Sequence, residues 1–142
     1  MSVQNTALVS SIEEIRGLVA QARQAGEPVG LVPTMGALHD GHLSLIRRSQ
    51  QECANTLVTL FVNPTQFNDK SDLKKYPRDV DADLEICGRE GVDWLFAPSA
   101  EEMYPDKPLT TVDVAPLTEN LCGPHRPGHF QGVATVCAKL FS

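Results

Sequence analysis

Val29-Gly30-Leu31-Val32-Pro33-Thr34-Met35-Gly36-Ala37-Leu38-His39-Asp40-Gly41-His42 decides how the rest of the 142-residue chain is read. It starts as a short apolar run of strand character and passes through Pro and Gly punctuation. Two histidines three apart follow, and then Leu43, Leu45 and Ile46, which open a helical pattern. Strand, tight turn and helix in that order make half of a parallel βαβ unit. Ligands of such sheets bind beyond the carboxyl ends of the strands, so this turn is the predicted binding position. Glycines there let backbone approach a ligand closely, and free amides at the helix start favour an anion such as phosphate.

A single histidine near a turn is ordinarily solvated or bonded to a neighbouring carbonyl. A pair in His-x-Gly-His behind Pro-Thr-Met-Gly is a sharper signal. Two imidazoles can donate to phosphate oxygens and meet the charge that grows on phosphorus during nucleotidyl transfer. A metal site of His39, Asp40 and His42 is the rival reading. It is weaker, because the turn offers no further ligand at suitable spacing.

Working outward, Ser11-Ile12-Glu13-Glu14 reads as a capping box that opens a helix, with Ile12, Ile15, Val19 and Ala22 at helical spacing and Gly26 as its stop. Thr56 to Val62 is β-branched and apolar enough for a strand buried on both faces. It ends in Asn63-Pro64-Thr65-Gln66-Phe67-Asn68, a second loop at the same sheet edge as the histidines. Gln66 carries both amide donors and a carbonyl acceptor, suited to a small hydroxy acid. Val80, Leu84 and Cys87 mark another helix closed by Gly91. Asp79, Asp81 and Asp83 lack calcium-loop spacing and read as a solvated face near that helix's start. Asp93 to Pro98 is a third strand, and Thr110 to Val114 a short edge strand. Leu121 to Phe130 is a Pro- and Gly-rich loop with His125, Arg126 and His129 in it; it reads either as an ordered surface connection or as an arginine and a histidine facing phosphate or a partner subunit. Val133, Val136, Cys137, Leu140 and Phe141 form a helix face that runs to the last residue, as if the polypeptide were part of something longer.

Size and composition fit one α/β domain over 1–142, a Rossmann-like parallel sheet flanked by helices. A hydrophobic fraction of 42% with 21% charged residues suits a globular chain, and a net charge of −6 argues against nucleic acid as the main partner. No stretch has the length of a membrane span and the N-terminus lacks a leader pattern, so a cytoplasmic address is expected. Cys53, Cys87, Cys122 and Cys137 stand far apart and are expected to be reduced, mostly buried thiols.

With these motifs assembled, the sequence resembles the pantothenate synthetase (pantoate–β-alanine ligase) family. The resemblance rests on Val32 to His42, Phe61 to Phe67, Tyr76-Pro77-Arg78, Phe96-Ala97-Pro98 and Arg126-Pro127-Gly128-His129-Phe130, in that order across nearly the whole chain. His-x-Gly-His alone marks only the wider nucleotidyltransferase superfamily. The resemblance implies an ATP-dependent ligase that joins pantoate to β-alanine through a pantoyl adenylate, with Mg2+ assisting and a homodimer as the assembly. By position it implies that Met35, Gly36, Ala37, Leu38, His39, Asp40, Gly41 and His42 line ATP, with His42 and His39 catalytic. It likewise implies that Gln66 and Asn63 bind pantoate or β-alanine. The metal ligands stay unassigned. Family members continue with a Gly-Glu-Lys-Asp stretch, a further glutamine and a Ser-Ser-Arg segment, so the chain is expected to be the N-terminal portion of a longer ligase, incomplete at its C-terminus. Cys122 stands where several relatives carry an acid. The competing readings are another His-x-Gly-His adenylyl- or cytidylyltransferase, and a non-catalytic nucleotide-binding fragment.

Overall fold

The computed structural model describes residues 5–142. Four strands, β1 (Ala7–Val9), β2 (Val29–Thr34), β3 (Asn55–Leu60) and β4 (Trp94–Phe96), form one sheet in the order β1-β4-β3-β2, with every pairing parallel. β3 lies inside the sheet and is buried along nearly its whole length, which is why its sequence is continuously apolar and β-branched rather than alternating. Around the strands run α1 (Ile12–Gln24), α2 (Asp40–Glu52), α3 (Lys70–Lys75), α4 (Val80–Glu90), the single turn α5 (Ala100–Met103) and α6 (His129–Phe141).

The chain divides into two compact units. The first holds residues 5–61 and 77–103, the second 62–76 and 104–142. In the first, α1 carries the serine half of the expected capping box: Ser11 Oγ accepts from the Glu14 N–H at 3.2 Å, and Gly26 follows at φ +78°. The core on one side of the sheet gathers Val32, Val58, Leu60 and Leu95 with Ile46 of α2, Cys87 of α4 and Val92. Leu38, Leu43, Val80 and Leu84 pack against it, so the starts of α2 and α4 are fixed by the same apolar cluster. The two helices are also tied at their far ends. Arg47 forms a two-pronged pair with Glu90 at 2.8 and 2.9 Å, and Gln50 Nε2 donates to the Glu90 carbonyl at 2.7 Å.

The second unit contains a single 3-10 turn at Pro64–Gln66, α3, two further 3-10 turns (Leu117–Glu119 and Gly123–His125) and α6. Asp69 caps α3 through its carboxylate. The edge strand expected at Thr110–Val114 is absent. Instead, the Val112 N–H donates to Thr135 Oγ1 at 2.9 Å, and just past the segment the Ala115 N–H donates to Asp113 Oδ1 at 3.1 Å. The edge strands of the sheet are β1 and β2. Among the described residues no helix is long and apolar enough to cross a membrane.

The four cysteines are free thiols. Only Cys87 is buried, the other three being half-buried, so the expectation of mostly buried thiols holds for one. Burial first, and then the nearby Asp83 charge, push the Cys87 thiol up to about 12, which makes it an inert part of the core rather than a nucleophile.

Candidate active site

Thr34 closes β2 with its hydroxyl, which donates to the Thr59 carbonyl at 2.7 Å and accepts from the Gly36 N–H at 3.2 Å. The chain then reverses through two left-handed residues, Gly36 at φ +87° and Ala37 at φ +52°. Gly36 is required twice over. Its φ suits glycine, and a Cβ there would sit 2.9 Å from Asp83 Oδ2 and 3.3 Å from Leu60 Cγ.

Asp83 of α4 holds this turn. Its Oδ2 accepts from the Ala37 N–H and its Oδ1 from the Leu38 N–H, each at 2.9 Å, and only 3% of the residue is exposed. The reading of Asp83 as part of a solvated face is therefore corrected. Asp79 is the N-cap of α4, accepting from the Ala82 N–H at 3.0 Å, whereas Asp83 faces the core. Asp83 was missed, although its spacing from Val80, Leu84 and Cys87 places it on the apolar stripe of the helix. A carboxylate on such a stripe needs hydrogen-bond donors.

α2 begins at Asp40, three residues before the apolar pattern that signalled it, because an imidazole does the capping. His39 is the N-cap and its Nδ1 accepts from the Gly41 N–H at 3.1 Å. His42 Nδ1 accepts in turn from the His39 N–H at 3.3 Å. The two rings lie together with centroids 4.1 Å apart, tilted by 41°. A ring nitrogen that accepts from an amide bears no proton, so each neutral ring carries its hydrogen on Nε2. The His42 pKa is lowered, first by burial and then by the neighbouring His39, with Asp83 opposing. His42 is accordingly a neutral Nε2–H donor at pH 7.

The expectation of free amides for an anion is also corrected. The N–H groups of Ala37 and Leu38 bond to Asp83 of α4, and those of His39 and Gly41 to the two imidazoles. An anion at this position meets imidazole Nε2–H groups rather than those amides. Ala37, His39, Asp40 and Gly41 are exposed, and Met35, Leu38 and His42 half-buried.

Gln66 and Asn63 belong to the second unit. Asn63 is fully buried and uses both ends of its amide. Oδ1 accepts from the Thr65 N–H at 3.2 Å and Thr65 Oγ1 at 2.8 Å, while Nδ2 donates to Gln66 Oε1 at 3.2 Å and to the Gly132 carbonyl at 3.1 Å. Gln66 is 7% exposed. His129 donates from Nδ1 to the Gln66 carbonyl at 2.8 Å, His125 is exposed, and Arg126 lines a cavity of about 420 Å³ with Asp113 and Glu119. Of the two readings of this loop, His129 follows the structural one, since its ring serves the Gln66 backbone. Among the described residues no three His, Cys, Asp or Glu side chains are gathered to hold a metal ion.

A parallel sheet with a strand, a tight turn and a His-x-Gly-His helix start defines an α/β protein of the nucleotidyltransferase class. Residues 7–142 match the model of the pantoate–β-alanine ligase family, and the chain belongs to that family. It is 52% identical over 133 residues to a pantothenate synthetase of Pelotomaculum thermopropionicum, covering 94% of this chain and 47% of that protein. Against a pantothenate synthetase of Cereibacter sphaeroides the identity is 53% over 134 residues, 94% of this chain and 48% of the relative. Its structure is similar to that of a pantothenate synthetase from Thermus thermophilus, with a TM-score of 0.84 and 47% identity over 96% of this chain and 48% of the other. It is similar as well to a pantoate–β-alanine ligase from Francisella tularensis complexed with β-γ ATP and β-alanine, with a TM-score of 0.89 and 38% identity over 96% and 52% of the two chains. The chain spans about half the length of the curated relatives it matches.

Proposed function

We propose that this chain is the nucleotide-binding portion of a ligase that condenses (R)-pantoate with β-alanine to give pantothenate, releasing AMP and diphosphate. The observation that carries the reading is the pair of adjacent imidazoles whose Nδ1 atoms are occupied by backbone N–H groups, so that two Nε2–H donors project from one turn. Met35 to His42 line ATP, and His39 and His42 donate to its phosphate oxygens. A carboxylate oxygen of pantoate attacks the α-phosphorus, and the P–O bond to the outer two phosphates breaks with its electron pair leaving on diphosphate. Fixed donors aimed at oxygens that gain charge lower this barrier, each by about 10²–10³-fold where such groups have been removed from other enzymes. The β-alanine amine then attacks the acyl carbon, loses a proton, and expels AMP. The mixed anhydride makes AMP a good leaving group, and what the protein adds is alignment and exclusion of water.

Gln66 receives pantoate through its side-chain amide, with Asn63 behind it. The β-γ ATP and β-alanine named for the Francisella complex support the substrate assignment. Magnesium enters as the counter-ion of the triphosphate. The family likeness further supports a homodimer in the cytoplasm that uses small molecules rather than nucleic acid.

Exchange of labelled diphosphate into ATP tests the reading on the ligase that carries this chain. Exchange should require pantoate but not β-alanine, and His42→Ala should slow it about 10²-fold or more. Exchange indifferent to pantoate would instead mark another adenylyltransferase, and ATP binding without any exchange a non-catalytic nucleotide module.

A further inference from the structure

Gln66 ends a 3-10 turn that is poorly held by its own backbone. The Gln66 N–H reaches the Asn63 carbonyl at 3.4 Å and the Phe67 N–H the Pro64 carbonyl at 3.3 Å, both long. A one-turn 3-10 segment of this kind cannot by itself fix a side chain. The constraint comes from the start of α6. The Gln66 carbonyl can only accept, so the 2.8 Å contact places a hydrogen on His129 Nδ1. One turn further on, Gly132 lies backbone to backbone against the same segment. A Cβ on Gly132 would come within 2.7 Å of the Thr65 carbonyl oxygen and 2.8 Å of Gln66 Cα and N. Asn63 closes the frame, its Nδ2 bridging Gln66 Oε1 and the Gly132 carbonyl. Because Asn63 donates to Oε1, the Gln66 amide is orientated with its NH2 end directed away from Asn63. That end carries the donors an acid substrate needs.

We propose that His129 and Asn63 are positioning residues that set the backbone and the amide orientation of Gln66, so that the first turn of α6 governs affinity for the acid substrate without touching it. The proposal rests on the reading of Gln66 as the pantoate-binding residue. It separates the two sequence-assigned residues by role, with Gln66 meeting the substrate and the fully buried Asn63 holding Gln66.

Calorimetric titration with (R)-pantoate at saturating ATP, and with ATP alone, tests this on the ligase that carries this chain. Loss of one hydrogen bond to a buried carbonyl corresponds to about tenfold in affinity. His129→Ala should therefore weaken pantoate binding by about tenfold and leave ATP binding within about twofold. His129→Asn, whose Nδ2 reaches the place of Nδ1, should restore most of the loss, and His129→Gln should not. If Gln66→Ala loses pantoate affinity while His129→Ala binds it like the parent, the positioning role is overturned and the Gln66 reading survives. If Gln66→Ala itself binds pantoate normally, the Gln66 reading fails and the frame with it. Equal loss of ATP and pantoate in His129→Ala would reduce the residue to general structural support and overturn the proposal.

Discussion

Ala37, at φ +52°, adopts a left-handed conformation that costs a residue with a Cβ roughly 1–2 kcal/mol. The Asp83 carboxylate offsets that cost, bonding to the N–H of Ala37 and of Leu38 at 2.9 Å each. Bonds to a charged acceptor are about twice as strong as neutral ones, and both sit in a partly buried setting. Asp83→Ala should therefore lower stability by about 2–3 kcal/mol in urea unfolding, and should also weaken ATP binding as the turn loses its shape. Asp83→Asn, which keeps one acceptor, should fall between. An unchanged unfolding midpoint in Asp83→Ala would mean that the turn holds itself. The position of Asp83 was legible in the sequence, since Val80, Asp83, Leu84 and Cys87 share one helix face. Its partners were not, because they are backbone amides 45 and 46 residues earlier in the chain. The histidines divide in the same way. Their motif announced a phosphate site, but no sequence rule shows an imidazole taking the N-cap role that Ser, Thr, Asp and Asn ordinarily fill.

Elements whose signal is local were readable. The β-branched run of β3, the strand–turn–helix around β2 and the 3.6-residue spacings of α1 and α4 each carry their own pattern, and the structure places them there. Elements defined by a distant partner were not. β1 is three residues long and exists only by pairing with β4, whereas the Thr110–Val114 segment forms no strand and the Val112 N–H finds a side-chain acceptor instead. The contact between α6 and the Pro64–Gln66 turn is of the second kind, and Gly132 gives no hint of it in the sequence. Gly132→Ala tests that contact, because a Cβ there meets backbone that cannot step aside. The substitution should cost about 1–3 kcal/mol in unfolding despite alanine's better helix propensity. A stabilised Gly132→Ala protein would show that the two segments are not packed as described.

Across the whole molecule, the order of five short motifs pointed to the family, and the family match runs over residues 7–142. The division into two units was not read from the sequence: residues 62–76, which leave the first unit between β3 and α4, turn polar after the apolar β3 run, but a polar stretch of that length is equally an ordinary loop. The division nevertheless gives a clean test, because the four histidines fall two to a unit, His39 and His42 in the first, His125 and His129 in the second. Long-range 1H–15N spectra of the imidazoles during an ATP titration read the central claim directly. The neutral rings of His39 and His42 should carry their hydrogen on Nε2, and these two Nε2–H signals should shift as ATP binds. A neutral Nδ1–H tautomer in either ring, or an ATP response confined to His125 and His129, would contradict the central claim.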